Sequence, residues 1–373
     1  MWSRLKTLDP LLYLLPLILM GISVVMIYTL TNDTAGYGTA LRQGIFAGIG
    51  LVLMVLATLT DYRNVRNWVP WVYGIGVILL AIVQVKGQTA FGAARWINIG
   101  TFQLQPGEIF KAIIILILAA VLGRSTKPIV GRQFFLAILL IAVPALAILL
   151  QPDLGTSLVV VATGIGMLLY SRTVRWQKVF IICGVAMVAL VITLSFHGVS
   201  PFTNVLKGYQ KDRLASFVDP SRDKKGTGYN VQQSKIAVGS GGLLGRGLGE
   251  GTQSQLNFLP VAHADFIFAG IAEAWGLVGS YGVILLFGVL TARLLIAARI
   301  AKDEFGMLIC VGIVIKLFFE LLVNIGMNIG IMPVTGIPLP FLSYGGTTMV
   351  TNALLIGIAQ SIVTRHKRLT FER

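Results

Sequence analysis

The chain has 373 residues, of which 55% are hydrophobic and only 12% are charged, and its formal net charge at pH 7 is +15. A soluble protein carries about a quarter charged residues, so this composition excludes a soluble globular fold. Crossing a bilayer takes roughly 20 mostly apolar residues per helix, with every backbone amide paired inside the segment. We therefore predict a single all-α integral membrane domain over residues 1–373, with ten transmembrane helices at about 11–30, 44–60, 68–85, 108–122, 133–150, 154–170, 179–197, 265–292, 305–329 and 346–363.

The positive charge fits the rule that Lys and Arg are enriched in cytoplasmic loops. With the N-terminus in the cytoplasm, more than half of the 30 basic residues fall on the inner side of the membrane. Both termini are therefore predicted to be cytoplasmic, the first apolar run is interpreted as a retained anchor, and nucleic acid is not expected as a partner. Cys183 and Cys310 lie in apolar runs and are predicted to be two buried thiols without a disulfide.

One connection is long, at roughly 198–264 between the seventh and eighth helices, and it is predicted to be extracytoplasmic. It contains "GSGGLLGRGLGEG", whose glycines match neither a dinucleotide-binding nor a P-loop spacing. Long ordered loops are mostly functional, and a disordered linker is the alternative. Two further loops, at about 86–107 and 330–345, are predicted on the same side. The prolines and glycines of the second exclude a regular helix there.

Ionisable residues within or at the mouths of membrane helices mark candidate sites, because each is costly unless it is paired or hydrated. Glu108 and Lys111 are three residues apart, Lys316 and Glu320 are four apart, and each pair shares a helix face. We interpret each pair either as an internal ion pair or as part of a polar site. Asn324 extends the second face by one turn, which favours a polar cavity wall as the competing interpretation.

Two aspartates stand at predicted helix starts. Asp153 in "QPDLGTS" is predicted to cap its helix, where a carboxylate meets free amides and the positive end of the dipole. Asp265 in "HADFIFAG" could do the same, but Phe266 and Phe268 beside it should raise its pKa by desolvation, which suits a general base. His263 is the nearby titratable group. The sequence shows no metal-ligand spacing and no Ser/His/Asp arrangement.

The segment "PVTGIPLPFLSYGGTTMVTN" at residues 333–352 resembles the signature of the SEDS family (shape, elongation, division and sporulation) of peptidoglycan polymerases. The segments "ARWINIG", "QPGEIFK", "QPDLGTS" and "DFIFAGIAEAWGLVG" match further family blocks in the same order. The resemblance runs from the first helix to the last. Within the family, "RLASFVDP" and "GYNVQQSKIAVGSGGLLGRG" are more similar to the elongation branch, RodA, than to the division branch, FtsW.

The resemblance implies a glycosyltransferase of the bacterial plasma membrane that polymerises lipid II into β-1,4-linked glycan at the outer face. It also implies a class B penicillin-binding protein as the cross-linking partner, together with other membrane proteins of the elongation complex. The family's essential aspartate falls on Asp265, which would take the proton from the acceptor hydroxyl. A divalent cation, Mg²⁺ or Mn²⁺ at an unknown site, or basic side chains would neutralise the diphosphate. The supporting residues expected are Glu108, Lys111, Asp153, Arg95, Arg213, Lys316, Glu320, Asn324 and Ser343.

The chain departs from the family pattern at three positions. Val261 stands where the family usually has Glu, and Ala264 where it has Thr, so neither of those side chains is expected to be indispensable. Ala94 replaces the usual polar residue before Arg95.

Two rival functions remain open at this point. A flippase or transporter for the lipid-linked precursor would use Lys316, Glu320 and Asn324, although such a site is expected near the midplane between repeated halves and no repeat is found. A purely structural scaffold for a penicillin-binding protein would tolerate loss of every polar residue named here.

Overall fold

The computed structural model describes residues 8–31, 34–86, 88–90, 93–99, 102–124, 128–129, 131–201, 206–219, 223, 226–256, 258–259 and 262–366. These residues form thirteen helices and one small sheet. The helices are α1 Pro10–Leu30, α2 Thr34–Leu59, α3 Tyr62–Lys86, α4 Pro106–Leu122, α5 Gly131–Leu150, α6 Leu154–Tyr170, α7 Arg175–Phe196, α8 Gly208–Val218, α9 Thr227–Ser240, α10 Thr252–Gln255, α11 Ile267–Ile300, α12 Glu304–Asn328 and α13 Gly346–Thr364. The strands are β1 Gln88–Ala90, β2 Ala93–Ile99 and β3 Phe102–Leu104.

Each of the ten apolar stretches in the sequence falls on one helix of the bundle, which confirms the helical membrane class. Within the described part of the chain, eight helices are long and apolar enough to cross a membrane. The other two, α4 and α6, have 17 residues each, shorter than the roughly 20 that a crossing needs. The count of ten crossings and the cytoplasmic position of both termini stay predictions.

One sequence expectation needs correction, and two of the predicted loops contain regular structure. In the loop at 86–107, β1, β2 and β3 form an antiparallel sheet in that order, with Ile97 opposite Leu104 and Ile99 opposite Phe102. The long loop also has regular structure, since α8, α9 and α10 lie in it. Cys183 is exposed, and only Cys310 is buried. The reason is that α7 lies on the outside of the bundle, where an apolar side chain can face lipid instead of protein.

Helix α4 forms the centre of the bundle, with every residue from Pro106 to Leu122 buried except Ile109. Glycines allow the close helix contacts that drive packing where lipid removes the hydrophobic driving force. A Cβ on Gly357 of α13 would lie 2.4 Å from the carbonyl oxygen of Met54 in α2. A Cβ on Gly312 of α12 would lie 2.7 Å from the side chain of Ile115 in α4.

The long loop is tied into the bundle through a break in α11. Gly276 has φ 65° and ψ −158°, so the helical hydrogen bonds are interrupted there. The glycine-rich motif supplies the missing partners, because its own backbone lies against the break. Four hydrogen bonds make this connection: Arg246 N to Glu273 O at 2.9 Å, Gly247 N to Ala274 O at 3.0 Å, Leu277 N to Gly242 O at 2.9 Å and Val278 N to Leu243 O at 3.1 Å.

Candidate active site

Asp265 lies in the turn that leads into α11, and two side chains of α12 hold the backbone of that turn. The Nδ2 atoms of Asn324 and Asn328 donate to the main-chain oxygen of Asp265 at 3.0 and 3.2 Å. Both amides are fully buried. Asn324 was predicted as a polar wall residue, whereas Asn328 was missed. The signal was present, because Asn328 follows Asn324 by four residues and so continues the same helix face.

The irregular segment at 330–345 packs against the other side of the Asp265 turn. Ser343 accepts from Leu339 N at 2.7 Å and donates to the main-chain oxygen of Ala264 at 2.6 Å. Tyr344 N donates to the main-chain oxygen of His263 at 2.9 Å. The absence of regular helix in this segment confirms the prediction made from its prolines and glycines. Ser343 therefore supports the site by holding two loops together.

The carboxylate of Asp265 is not used as a helix cap. Phe266 occupies the N-cap position of α11, without a side-chain capping bond. Among the described residues, the Asp265 carboxylate forms no hydrogen bond and no ion pair within 4.0 Å, and the residue is only partly buried. Its Oδ2 atom lies 3.6 Å from the position of a Cβ on Gly336, whose φ of 73° favours glycine. The carboxylate therefore faces the loop at 330–345.

The surroundings of Asp265 set its proton affinity. Burial raises the pKa of Asp265 above its usual value of 3.8. The positive charge of Arg213 opposes this rise, the negative charge of Asp153 adds to it, and Arg95 again opposes it. These three side chains thus share the site with Asp265. A raised pKa makes the carboxylate a stronger base.

Asp153 is almost fully buried and its oxygens are occupied, which confirms the predicted capping role. Oδ1 accepts from Thr156 N at 3.2 Å, while Oδ2 accepts from Thr156 Oγ1 at 2.9 Å and from Gln105 Nε2 at 3.1 Å. Nη1 of Arg95 lies 3.7 Å from Asp153 Oδ1, and Nη2 donates to the main-chain oxygen of Pro152. Asp153 therefore orients Arg95.

Two buried polar atoms at this site have no partner among the described residues, namely Arg95 Nε and Thr335 Oγ1. Thr335 belongs to the loop at 330–345, and its main-chain oxygen accepts from Arg213 Nη1 at 3.1 Å. Buried polar groups in proteins almost always have a hydrogen-bond partner. A polar ligand bound between Arg95, Arg213 and Asp265 would supply hydrogen-bond partners for these buried atoms.

The two predicted ion pairs form and are joined into one network inside the bundle. Lys111 Nζ lies 2.7 Å from Glu108 and 2.6 Å from Glu320, and Lys316 Nζ lies 2.7 Å from Glu320. Lys316 also donates to Asn352 Oδ1 at 2.6 Å, and Thr348 Oγ1 donates to Glu108 at 2.8 Å. The four ionised side chains are at most 2% exposed. The two positive and two negative charges balance one another, and Glu320 and Lys316 precede Asn324 on α12 by one and two turns.

The chain is thus an integral membrane protein with an acidic and basic polar site at one end of its helix bundle. Residues 5–368 match the family model FtsW/RodA/SpoVE, described as cell cycle protein. The chain belongs to this family. It is a multi-pass protein of the bacterial inner membrane.

Curated relatives match this chain over nearly its whole length. It is 39% identical over 370 residues to the peptidoglycan glycosyltransferase MrdB of Escherichia coli strain K12, covering 99% of this chain and 96% of that protein. It is 36% identical to MrdB of Helicobacter pylori over 87% of this chain and 83% of that one. It is 35% identical to the stage V sporulation protein E of Bacillus subtilis strain 168, over 96% and 98% of the two chains.

Solved structures share the fold. One, described as "Structural coordination of polymerization and crosslinking by a peptidoglycan synthase complex", superposes with a TM-score of 0.81 at 29% identity, over 96% of this chain and 98% of that one. The rod shape determining protein RodA of Thermus thermophilus superposes with a TM-score of 0.70 at 27% identity, over 95% and 96% of the two chains. These matches confirm the resemblance inferred from the motifs.

Proposed function

We propose that this chain is a peptidoglycan glycosyltransferase that polymerises lipid II into β-1,4-linked glycan strands at the outer face of the inner membrane during cell elongation. The observation that carries the proposal is the Asp265 carboxylate, which is partly exposed and unpaired among the described residues, with Arg95 and Arg213 close by. The naming of its relatives as peptidoglycan glycosyltransferases supports the reaction class.

The reaction needs one base and a means of stabilising the leaving diphosphate. Asp265 accepts the proton of the acceptor's GlcNAc 4-hydroxyl while that oxygen bonds to the anomeric carbon of the growing glycan. The bond from this carbon to the diphosphate breaks, and undecaprenyl diphosphate leaves with the electron pair, so the anomeric configuration inverts. Fixed positive charges that face the developing negative charge lower the barrier.

Arg95 and Arg213 are the residues that we assign to the diphosphate. Arg95 is oriented by Asp153, and its Nε atom has no partner among the residues that the structure describes. Arg213 is held by the carbonyl oxygen of Thr335. Lys111 was expected to help, but its ammonium lies in the buried network between two carboxylates. We therefore assign a structural supporting role to this buried ion-pair network of Lys111, Glu108, Lys316 and Glu320.

A divalent cation remains part of the proposal. The described residues contain no group of three or more His, Cys, Asp or Glu side chains that could hold a metal by themselves. Mg²⁺ in proteins is often held by one or two carboxylates together with the phosphates of a substrate. The donor set here fits only a cation shared with the diphosphate, and such a cation would add positive charge at the leaving group.

The partner is proposed by analogy. The structural relative with the TM-score of 0.81 comes from a complex in which polymerisation and crosslinking are coordinated. We propose that this chain works with a class B penicillin-binding protein that cross-links the strands, and with other membrane proteins of the elongation complex.

The test is an assay of glycan length. Purified chain with its cross-linking partner is incubated with fluorescent lipid II, and the products are separated on a gel. We expect Asp265→Asn to leave a folded protein that makes no glycan, because an amide cannot accept the proton. Normal polymerisation by Asp265→Asn would rule out the base. A scaffold would show no glycan even in the wild type. A flippase would instead move labelled lipid II across vesicles.

A further inference from the structure

Helix α9 of the long loop packs against the end of α12 that carries Asn324 and Asn328. We call these two asparagines, which hold the backbone of Asp265, the Asp265 clamp. Its buried side is a stripe with a spacing of three residues, made of Gly228, Val231, Ser234 and Ala237. Lys235, which follows Ser234 in this helix, packs its side chain on Gly330 just beyond α12. A Cβ added to Gly330 would lie 2.8 Å from Lys235 Cδ. The docking is therefore close enough to transmit a displacement of α9 to α12.

One hydroxyl connects the two helices at this contact. Ser234 Oγ donates to the main-chain oxygen of Asn328 at 2.8 Å, and both residues are fully buried. The side chain of Asn328 contacts the Asp265 turn. Its Nδ2 donates to the main-chain oxygen of Asp265 at 3.2 Å, and its Oδ1 accepts from Ala269 N in the first turn of α11 at 3.0 Å. Ser234 Oγ lies 3.4 Å from the same Oδ1. Asn328 thus connects Ser234 of α9 to the Asp265 turn.

We propose that Ser234 and Asn328 are positioning residues for the polymerisation reaction, through which helix α9 fixes the place of the Asp265 carboxylate. This inference rests on the proposed function. Neither side chain touches the reacting atoms, so both act through the backbone of the turn. Ser234 and Asn328 thus connect α9 of the long loop to the turn that carries the catalytic base Asp265.

The expected effect follows from the geometry of proton transfer. A general base must lie within about 2.6–3.2 Å of the oxygen whose proton it takes. Removing the Ser234 hydroxyl leaves the carbonyl of Asn328 without its bond to α9, which loosens the clamp by one hydrogen bond. Such a bond contributes about 0.6–1.4 kcal/mol, which corresponds to a roughly three- to tenfold change in kcat. We expect kcat to fall because the base is less well positioned. KM for lipid II should not change, because the substrate contacts are untouched.

The experiment uses the full chain with its cross-linking partner and fluorescent lipid II. Ser234→Ala is compared with Ser240→Ala, a matched control in the same helix whose hydroxyl donates to Ala237 O of that helix at 2.9 Å. Asn328→Ala and the double variant with Ser234→Ala complete a double-mutant cycle. We expect Ser234→Ala to lower kcat about three- to tenfold at unchanged KM, Ser240→Ala to match wild type, and Ser234→Ala to have no added effect once Asn328 is Ala.

Each other outcome has a definite meaning. Equal kcat for Ser234→Ala and Ser240→Ala overturns the proposal, and so does an undiminished effect of Ser234→Ala in the Asn328→Ala background. If Asn328→Ala does not fold, the comparison of the two serine variants decides alone. A wild-type chain that makes no glycan refutes the proposed function itself, which separates that failure from a failure of the positioning role.

Discussion

The Nζ atom of Lys111 lies 2.6 Å from Oε1 of Glu320, which joins α4 to α12 across 209 residues of sequence. Glu320 also binds Lys316, so one carboxylate bridges two ammonium groups in the interior of the bundle. Charges at this depth are costly unless paired. The network is therefore strongly coupled, and loss of one member leaves another charge buried without its partner.

We predict that Lys111→Met lowers the melting temperature of the protein strongly. Breaking a buried ion pair from one side costs about 3–5 kcal/mol, because the remaining charge is uncompensated. Arg172→Ala is the control, since Arg172 pairs with Glu304 at an exposed position and such pairs contribute about 0–1 kcal/mol. Thermal unfolding in detergent measures both. Equal melting temperatures for the two variants would contradict a stabilising role for the network.

The pH dependence of the reaction should report the pKa of Asp265. Asp265 acts as a base only when ionised, so kcat/KM is full above the pKa of the free enzyme and declines as the pH falls through it. Because burial raises this pKa, the decline begins above the usual value of 3.8. Arg213 favours the ionised form, so Arg213→Gln moves the acidic limb of the kcat/KM profile to higher pH. Arg213→Lys keeps the charge and should leave the limb nearly in place; an unmoved limb in Arg213→Gln argues against this electrostatic coupling.

The glycine-rich motif should tolerate substitution at some positions and not at others. Gly245 has φ 84°, and a Cβ there would lie 2.1 Å from the carbonyl oxygen of Ala274. We expect Gly245→Ala to destabilise the protein by at least about 1–3 kcal/mol, from backbone strain together with the clash. Gly239→Ala serves as the control, because Gly239 lies in α9 with open space around it. Yield and thermal unfolding are measured; a Gly245→Ala protein as stable as Gly239→Ala would refute the packing argument.

Removal of divalent cations should affect catalysis and leave the free protein unchanged. We expect EDTA to suppress glycan formation and Mg²⁺ or Mn²⁺ to restore it, because the cation is shared with the substrate diphosphate. Without lipid II the melting temperature should not respond to either ion, since the described residues offer no metal site of three carboxylate, His or Cys groups. An increase in melting temperature with Mn²⁺ alone would point to a protein-only site instead.

The apolar runs predicted the helices well because membrane helices satisfy their own backbone and need length and composition only. The Asp265 turn was also predictable, from a carboxylate at the border of an apolar run and from the family motif around it. Ser343 was recognised within that motif, and the structure gives the reason, namely its bonds to Leu339 and Ala264.

What the sequence did not reveal depends on contacts between distant segments. The break at Gly276 lies in a mostly apolar run, three residues after Glu273, and the backbone that pairs with it comes about 30 residues earlier. The link from Lys111 to Glu320 is likewise invisible when each helix is considered alone. Asn328 could have been found from its spacing to Asn324, but its role required the position of Ser234 on a helix that was not predicted.

The interruption of α11 has a consequence for how the protein is made. The segment that completes this helix, Gly242 to Gly247, is synthesised before the helix itself. When α11 enters the bilayer, its backbone at Gly276 has unmet polar groups until the earlier segment meets it. We therefore expect a tag or linker placed within Gly242 to Gly247 to lower the yield of correctly folded protein, because the polar groups at the break would then lose their partners.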